Sequence, residues 1–109
     1  MAREEVKIII VCNRKTSFVV PGHRHVKKGD SVQWRLVGPG KATLFFPVGD
    51  VFKNQDSPIT ETLHAKCRET DDFEVKQGDM GFIPYAVYCE IDGEREFAEG
   101  GSSPGLIVG

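Results

Sequence analysis

Cys89 stands near the end of an aromatic-rich segment, Tyr85-Ala86-Val87-Tyr88-Cys89-Glu90-Ile91-Asp92. A cysteine can do two kinds of chemistry there. As a thiolate it is a nucleophile or a soft metal ligand, and Asp92, three residues on, could add an oxygen donor. As a thiol packed inward with Tyr85 and Val87 it is simply a small apolar core residue. A second candidate is His23-Arg24-His25. In an extended chain the two imidazoles fall on one face and form a two-histidine clip for Ni, Cu or Zn. The alternative is a polar strand face beside Lys27 and Lys28. A third pair, His64 and Cys67, would face one ion only if that segment were helical. Two ligands do not make a site in either case.

Catalysis finds less support. A nucleophile, a base and an orienting group must be tied together, and no motif joins these Cys, His and Asp residues. Neither GxSxG nor HExxH occurs. Gly100-Gly101-Ser102-Ser103-Pro104-Gly105 lacks the Lys and helix of a phosphate-cradling loop. The expectation is a protein that is not an enzyme.

The elements that must position these residues are short strands. The chain has 109 residues, enough for one domain spanning 1–109 with its own core. Val6 to Cys12 is Ile- and Val-rich and reads as a buried strand. Ser31 to Val37 alternates, with Val32, Trp34 and Leu36 on one side and Ser31, Gln33 and Arg35 on the other. Thr16–Val20, Ala42–Phe46, Phe73–Val75, Tyr85–Ile91 and Leu106–Val108 read as further strands. Lys27-Lys28-Gly29-Asp30 is a turn whose Gly suits a positive φ. Thr60 to Cys67 fits either a strand or a short helix. Val48–Pro58 and the polar stretch Asp92–Pro104 read as loops. Seven to eight strands with turns between them predict an all-β, antiparallel Greek-key sandwich. Its core would include Ile8, Ile10, Val32, Trp34, Leu44, Phe46, Tyr85, Val87, Cys89 and Ile107.

Composition narrows the function classes. Net charge is −2, so bulk charge does not point to nucleic acid. No apolar run approaches the roughly 20 residues that span a bilayer. Three cysteines cannot all pair within one chain, so a disulfide framework is not expected, although one bridge with a free thiol is allowed. That favours a reducing compartment. The start Met1-Ala2-Arg3-Glu4-Glu5 shows no apolar signal segment, which reads as cytoplasmic as written, or periplasmic or extracellular if a leader has been removed. Charge is uneven: Arg14, Lys15, Arg24, Lys27 and Lys28 make the first third basic. Asp71, Asp72, Asp92, Glu94, Glu96 and Glu99 make later segments acidic.

Several segments together resemble the cupredoxins, the small blue copper proteins. Phe18-Val19-Val20-Pro21 and then Val26-Lys27-Lys28-Gly29-Asp30-Ser31-Val32-Gln33-Trp34 are similar to the second and third strands of that family. Ala42-Thr43-Leu44-Phe45-Phe46 looks like the strand after its first copper-binding His. Tyr85 to Glu90 resembles the strand that delivers its copper Cys, and Ser103 to Val108 its closing strand. The resemblance weakens from Val48 to Gly78.

It implies a cupredoxin-like sandwich with Cys89 at the copper Cys position. Type 1 copper needs two imidazoles, a thiolate and a weak axial ligand, often Met. Lys41 and Ala42 stand where the first His is expected, and Asp92 and Gly93 where the second is. Glu94-Arg95-Glu96-Phe97 stands in the axial Met region. One ligand of four remains, so no copper cofactor is expected.

Two readings of function follow. In the first, the chain is a copper-free binding module whose protein partner meets the loops Gly38–Ala42 and Asp92–Pro104, through Lys41, Asp92, Glu94, Glu96 and Glu99. In the second, it is a metal or electron-transfer protein, holding copper or zinc atypically through Cys89 with Asp92, or through His23 and His25. A thiol enzyme or redox sensor is a weaker third.

Overall fold

The computed structural model describes residues 4–13, 17–47, 51–53, 55, 58–76, 78–97 and 104–109, with backbone only for 95–97. Eleven strands occur among them, and no α-helix. They are β1 (Glu5–Val11), β2 (Phe18–Val20), β3 (His23–Val26), β4 (Ser31–Val37), β5 (Lys41–Phe46), β6 (Ile59–Leu63), β7 (Phe73–Glu74), β8 (Gly81–Pro84), β9 (Ala86–Ile91), β10 (Glu94–Phe97) and β11 (Gly105–Val108). The all-β expectation is met, with more strands than the seven or eight expected.

The strands form three sheets, ordered β2-β1-β4-β7, β10-β9-β5-β6 and β3-β11-β8. The short third sheet joins the other two. β2 runs into β3 through the cis bond Val20–Pro21, and β8 runs into β9 through Tyr85. Pairing is not wholly antiparallel, which corrects the expected topology: β1 pairs β4 in parallel, and β3 pairs β11 in parallel. A parallel pair needs a long crossover. Here the β2–β3 excursion supplies the one between β1 and β4.

Alternation along the strands sets the core. In β4, Val32, Trp34 and Leu36 are buried, as the period of two requires. Trp34 is the centre of an aromatic cluster, edge-on to Phe46, Phe52, Phe73 and Tyr85 with ring centroids 5.5 to 6.2 Å away. Ile8, Ile10, Val32, Leu44, Val87 and Cys89 are buried as expected. Ile107 is not: β11 sits in the opposite phase, so Leu106 and Val108 face the core and Ile107 is half-buried.

Of three local expectations, one is resolved, one corrected and one met. Thr60–Cys67 is strand β6 followed by a tight turn, closed by reciprocal backbone hydrogen bonds between His64 and Cys67. Asp92–Pro104 is not all loop, because Asp92 and Gly93 have φ of 52° and 83° and turn β9 into β10 as a two-residue hairpin. The turn before β4 is as expected: Gly29 has φ 92°. The buried Asp30 carboxylate accepts from the Lys27 N–H at 2.9 Å and the Glu4 N–H at 3.1 Å.

Candidate functional site

The end of the molecule containing Cys89 is clamped. Cys12 follows β1 in the inward phase of Ile8 and Ile10, and Cys89 is inward in β9 with Val87. The two are joined by a disulfide across 77 residues, with Cα atoms 5.7 Å apart. It ties the β1 sheet to the β9 sheet, and both residues are almost fully buried. This is the arrangement of one bridge with a free thiol that three cysteines allow, and it corrects the reading of Cys89 as a free core thiol. Such bonds persist in oxidising surroundings, so the cysteines no longer favour a reducing compartment. Cys67 is the remaining, exposed thiol.

The β4–β5 turn lies directly over this bond. The Cys12 N–H donates to the Val37 carbonyl at 2.9 Å, and the Cys12 sulfur lies 3.9 Å from the Lys41 carbonyl oxygen. Gly38 and Gly40 have φ of 101° and 87°, values that L side chains rarely adopt. A Cβ at Gly38 would strike the Cys12 carbonyl, and one at Gly40 the Glu90 carbonyl and the Ile91 side chain. Gly38–Ala42 is therefore a packed cap with an exposed rim.

On that rim the Lys41 ammonium pairs with the Glu90 carboxylate at 3.0 Å, across the β5–β9 register. Asp92 is exposed at the hairpin tip, and Glu94 is exposed at the start of β10. Glu96 lies opposite Cys89 in the ladder by its backbone. Glu99 lies outside the described residues. The structure thus brings Lys41, Asp92 and Glu94 to one end, with Glu90 paired to Lys41 there.

Two of the histidines are elsewhere. His23 and His25 are exposed on one face of β3, in register with Gly105 and Ile107 of β11, which in turn face Pro84 and Phe82 of β8. The His23 imidazole meets the edge of the Phe82 ring, centroids 5.1 Å apart. Pro84 precedes Cys89 by five residues, roughly 15 Å of strand. No single ion could join His23 to the Cys89 sulfur. His64 comes to the rim end instead, since it follows Leu63, which pairs with Ala42, itself paired with Cys89; its Nδ1 accepts from the Lys66 N–H at 3.3 Å.

These residues do not fit type 1 copper. The sulfur of Cys89, which the resemblance would assign to copper, is bonded to Cys12, so it offers no thiolate. A lysine occupies the rim beside it, and the imidazoles of His23 and His25 belong to another sheet. No group of three or more His, Cys, Asp or Glu among the described residues could hold a metal ion.

Two polar atoms in the aromatic cluster, Trp34 Nε1 and the Tyr85 hydroxyl, have no hydrogen-bond partner. Burial pushes the Tyr85 pKa up to about 12; the nearby Trp34 N–H acts weakly the other way without reaching hydrogen-bond geometry. These atoms are sealed in the core, so they build no accessible site. Among the described residues no helix is long and apolar enough to cross a membrane. No protein-family model matches the chain, and no curated protein matches it either.

Proposed function

We propose that this chain is a non-catalytic binding module on a cupredoxin-like frame without a type 1 copper site. Its binding surface is the rim formed by the Gly38–Ala42 turn and the β9–β10 hairpin. The observation that supports this most is the Cys12–Cys89 disulfide. It occupies the sulfur that copper chemistry would need, and it holds two charged, exposed turns in fixed relation. Fixed turns lose little freedom on binding, which favours recognition. Acidic Asp92 and Glu94, with Glu96 and Glu99 following in sequence, suit a basic protein surface.

Two measurements test the reading. Oxidised protein incubated with Cu(II), Cu(I) and Zn(II) is expected to retain no stoichiometric metal and to show no intense blue thiolate–copper band. Such a band with one copper per chain would return electron transfer to the front. For the surface, the triple variant Glu94→Lys, Glu96→Lys, Glu99→Lys is expected to lose the partners that wild-type protein captures from its native source. Unchanged capture of every partner would sink the proposed rim.

A further inference from the structure

A second surface lies on the outer face of the β2-β1-β4 sheet, where its first row adjoins the Gly38–Ala42 turn. Alternation puts Phe18 and Val20 of β2, Ile9 and Val11 of β1, and Val37 of β4 on that face. The registers arrange them in two adjacent rows. Phe18, Val11 and Val37 form one, while Val20, Ile9 and Arg35 form the next. Phe18, Val20 and Val37 keep 37%, 46% and 43% of their surface exposed, and Ile9 and Val11 are half-buried. Contiguous apolar side chains on a sheet face are a liability in water unless something covers them.

The border of this patch has a sign. Arg35 extends the second row, and Lys7 is the next outward residue of β1 after Ile9. Both are exposed, and neither forms an ion pair among the described residues. Two carboxylates on this face stand beyond them: the backbone of Glu69 bridges that of Arg35 from its far side, and Glu5 is the next outward residue of β1 past Lys7. The cations therefore form the inner border, in a chain whose net charge is −2. Across the strands the patch spans two inter-strand spacings, roughly 10 Å, about the width of one α-helix.

We infer that this face docks an amphipathic helix of a partner protein, one whose apolar stripe is flanked by carboxylates. The apolar residues of the helix cover the two rows, and its carboxylates meet Lys7 and Arg35. Helix-on-sheet packing is a general way to cover such a face, and recognition of an amphipathic helix by its apolar stripe is a common peptide-binding mode. The acidic flank follows from the two unpaired cations.

The test uses whole oxidised protein and two synthetic helical probes with the same leucine stripe, one flanked by Glu and the other by Lys. Amide chemical shifts are followed during titration. The Glu-flanked probe is expected to shift β1, β2 and β4 resonances saturably, and the Lys-flanked probe to bind about ten-fold more weakly. The substitutions Phe18→Ser and Val20→Ser, at exposed positions, should each weaken the Glu probe about five-fold with the amide spectrum otherwise unchanged. Arg35→Glu should narrow or reverse the preference between probes. Shifts confined to other strands, equal affinity for both probes, or no saturable binding would overturn the assignment. So would self-association through this face on sedimentation, or binding of phosphatidylserine vesicles in preference to the Glu probe.

Discussion

The two ends of the core are held by different means. At one, a disulfide, two left-handed glycines and a rim ion pair fix the backbone of β1, β5 and β9. At the other, Trp34, Phe46, Phe52, Phe73 and Tyr85 fill volume with edge-on and stacked rings. The first end has no room for a single added methyl group at Gly38 or Gly40. The second tolerates two buried polar atoms without partners. Covalent and backbone constraint sits where the exposed turns are, and bulk apolar packing sits where nothing polar can reach solvent. A surface that recognises a partner benefits from the first kind of rigidity, because turns fixed beforehand need not be ordered on binding.

The largest effect should come from breaking the clamp. Closing a loop of 77 residues restricts the unfolded chain by roughly 4 kcal/mol in the chain-entropy account. Urea unfolding with and without a dithiol reductant should show a loss of that order, reproduced by the double variant Cys12→Ala, Cys89→Ala. Equal midpoints in the two conditions would mean that the bond contributes nothing and that the two ends do not differ as described.

Next is the glycine cap. Gly40→Ala should cost about 3 kcal/mol, because the new Cβ meets the Glu90 carbonyl and the backbone is left-handed. Gly29→Ala is the comparison: its φ is 92° but no atom lies within 4 Å of the added Cβ, so about 1 kcal/mol is expected. Similar losses at both sites would show that tight packing over the disulfide adds nothing.

The aromatic end responds in the other direction. Tyr85→Phe removes a buried hydroxyl that has no partner, so stability at neutral pH should stay level or rise by about 1 kcal/mol. The pH dependence carries the sharper signature. The folded-state pKa of about 12 lies above that of the unfolded chain, near 10, so the unfolded chain releases its proton first. Stability is then intact below about pH 10 and falls as pH rises toward 12. The Phe variant should lack that alkaline fall in chemical-denaturation midpoints.

The strand Ser31–Val37 was legible because its alternation is strict, and Trp34, Phe46 and Tyr85 were expected in the core. Phe52 and Phe73, which complete the aromatic cluster, were not, since Phe52 follows no alternation in its turn-rich segment and β7 is only two residues long. The hairpin at Asp92-Gly93 was legible in principle, since Asp-Gly is a two-residue turn signal, but the run of acidic residues after it reads as a solvated loop. The disulfide left a fainter trace. Cys12 continues the inward phase of Val6, Ile8 and Ile10, and Cys89 that of Tyr85 and Val87, whereas Cys67 lies in a polar segment. Phase therefore singles out the pair that can meet inside. The parallel pairings of β1 with β4 and β3 with β11 had no local signal, because strand direction is set by the path of the intervening chain.

The smallest expected effect concerns an edge that is neither clamped nor aromatic. β6 borders its sheet, and Ile59 and Leu63 turn inward, so Glu61 between them faces the same way, opposite Leu44. An inward carboxylate on an edge strand opposes edge-to-edge pairing with another chain. It also loses hydration. Burial raises the Glu61 pKa, and the negative charge of Asp71 raises it further. A raised carboxylate pKa favours the folded state while the group is protonated, and that advantage is lost as pH rises through the carboxylate range. Glu61→Gln should therefore be more stable than the wild type at neutral pH by a few tenths of a kcal/mol, since Glu61 is part-exposed. The difference should vanish in acid. Glu61→Val should also stabilise the monomer, yet increase light scattering at high concentration as the edge becomes free to pair. If Glu61→Gln and wild type kept the same offset from acid to neutral pH, the carboxylate would not be desolvated, and its role in blocking the edge would lose its physical basis.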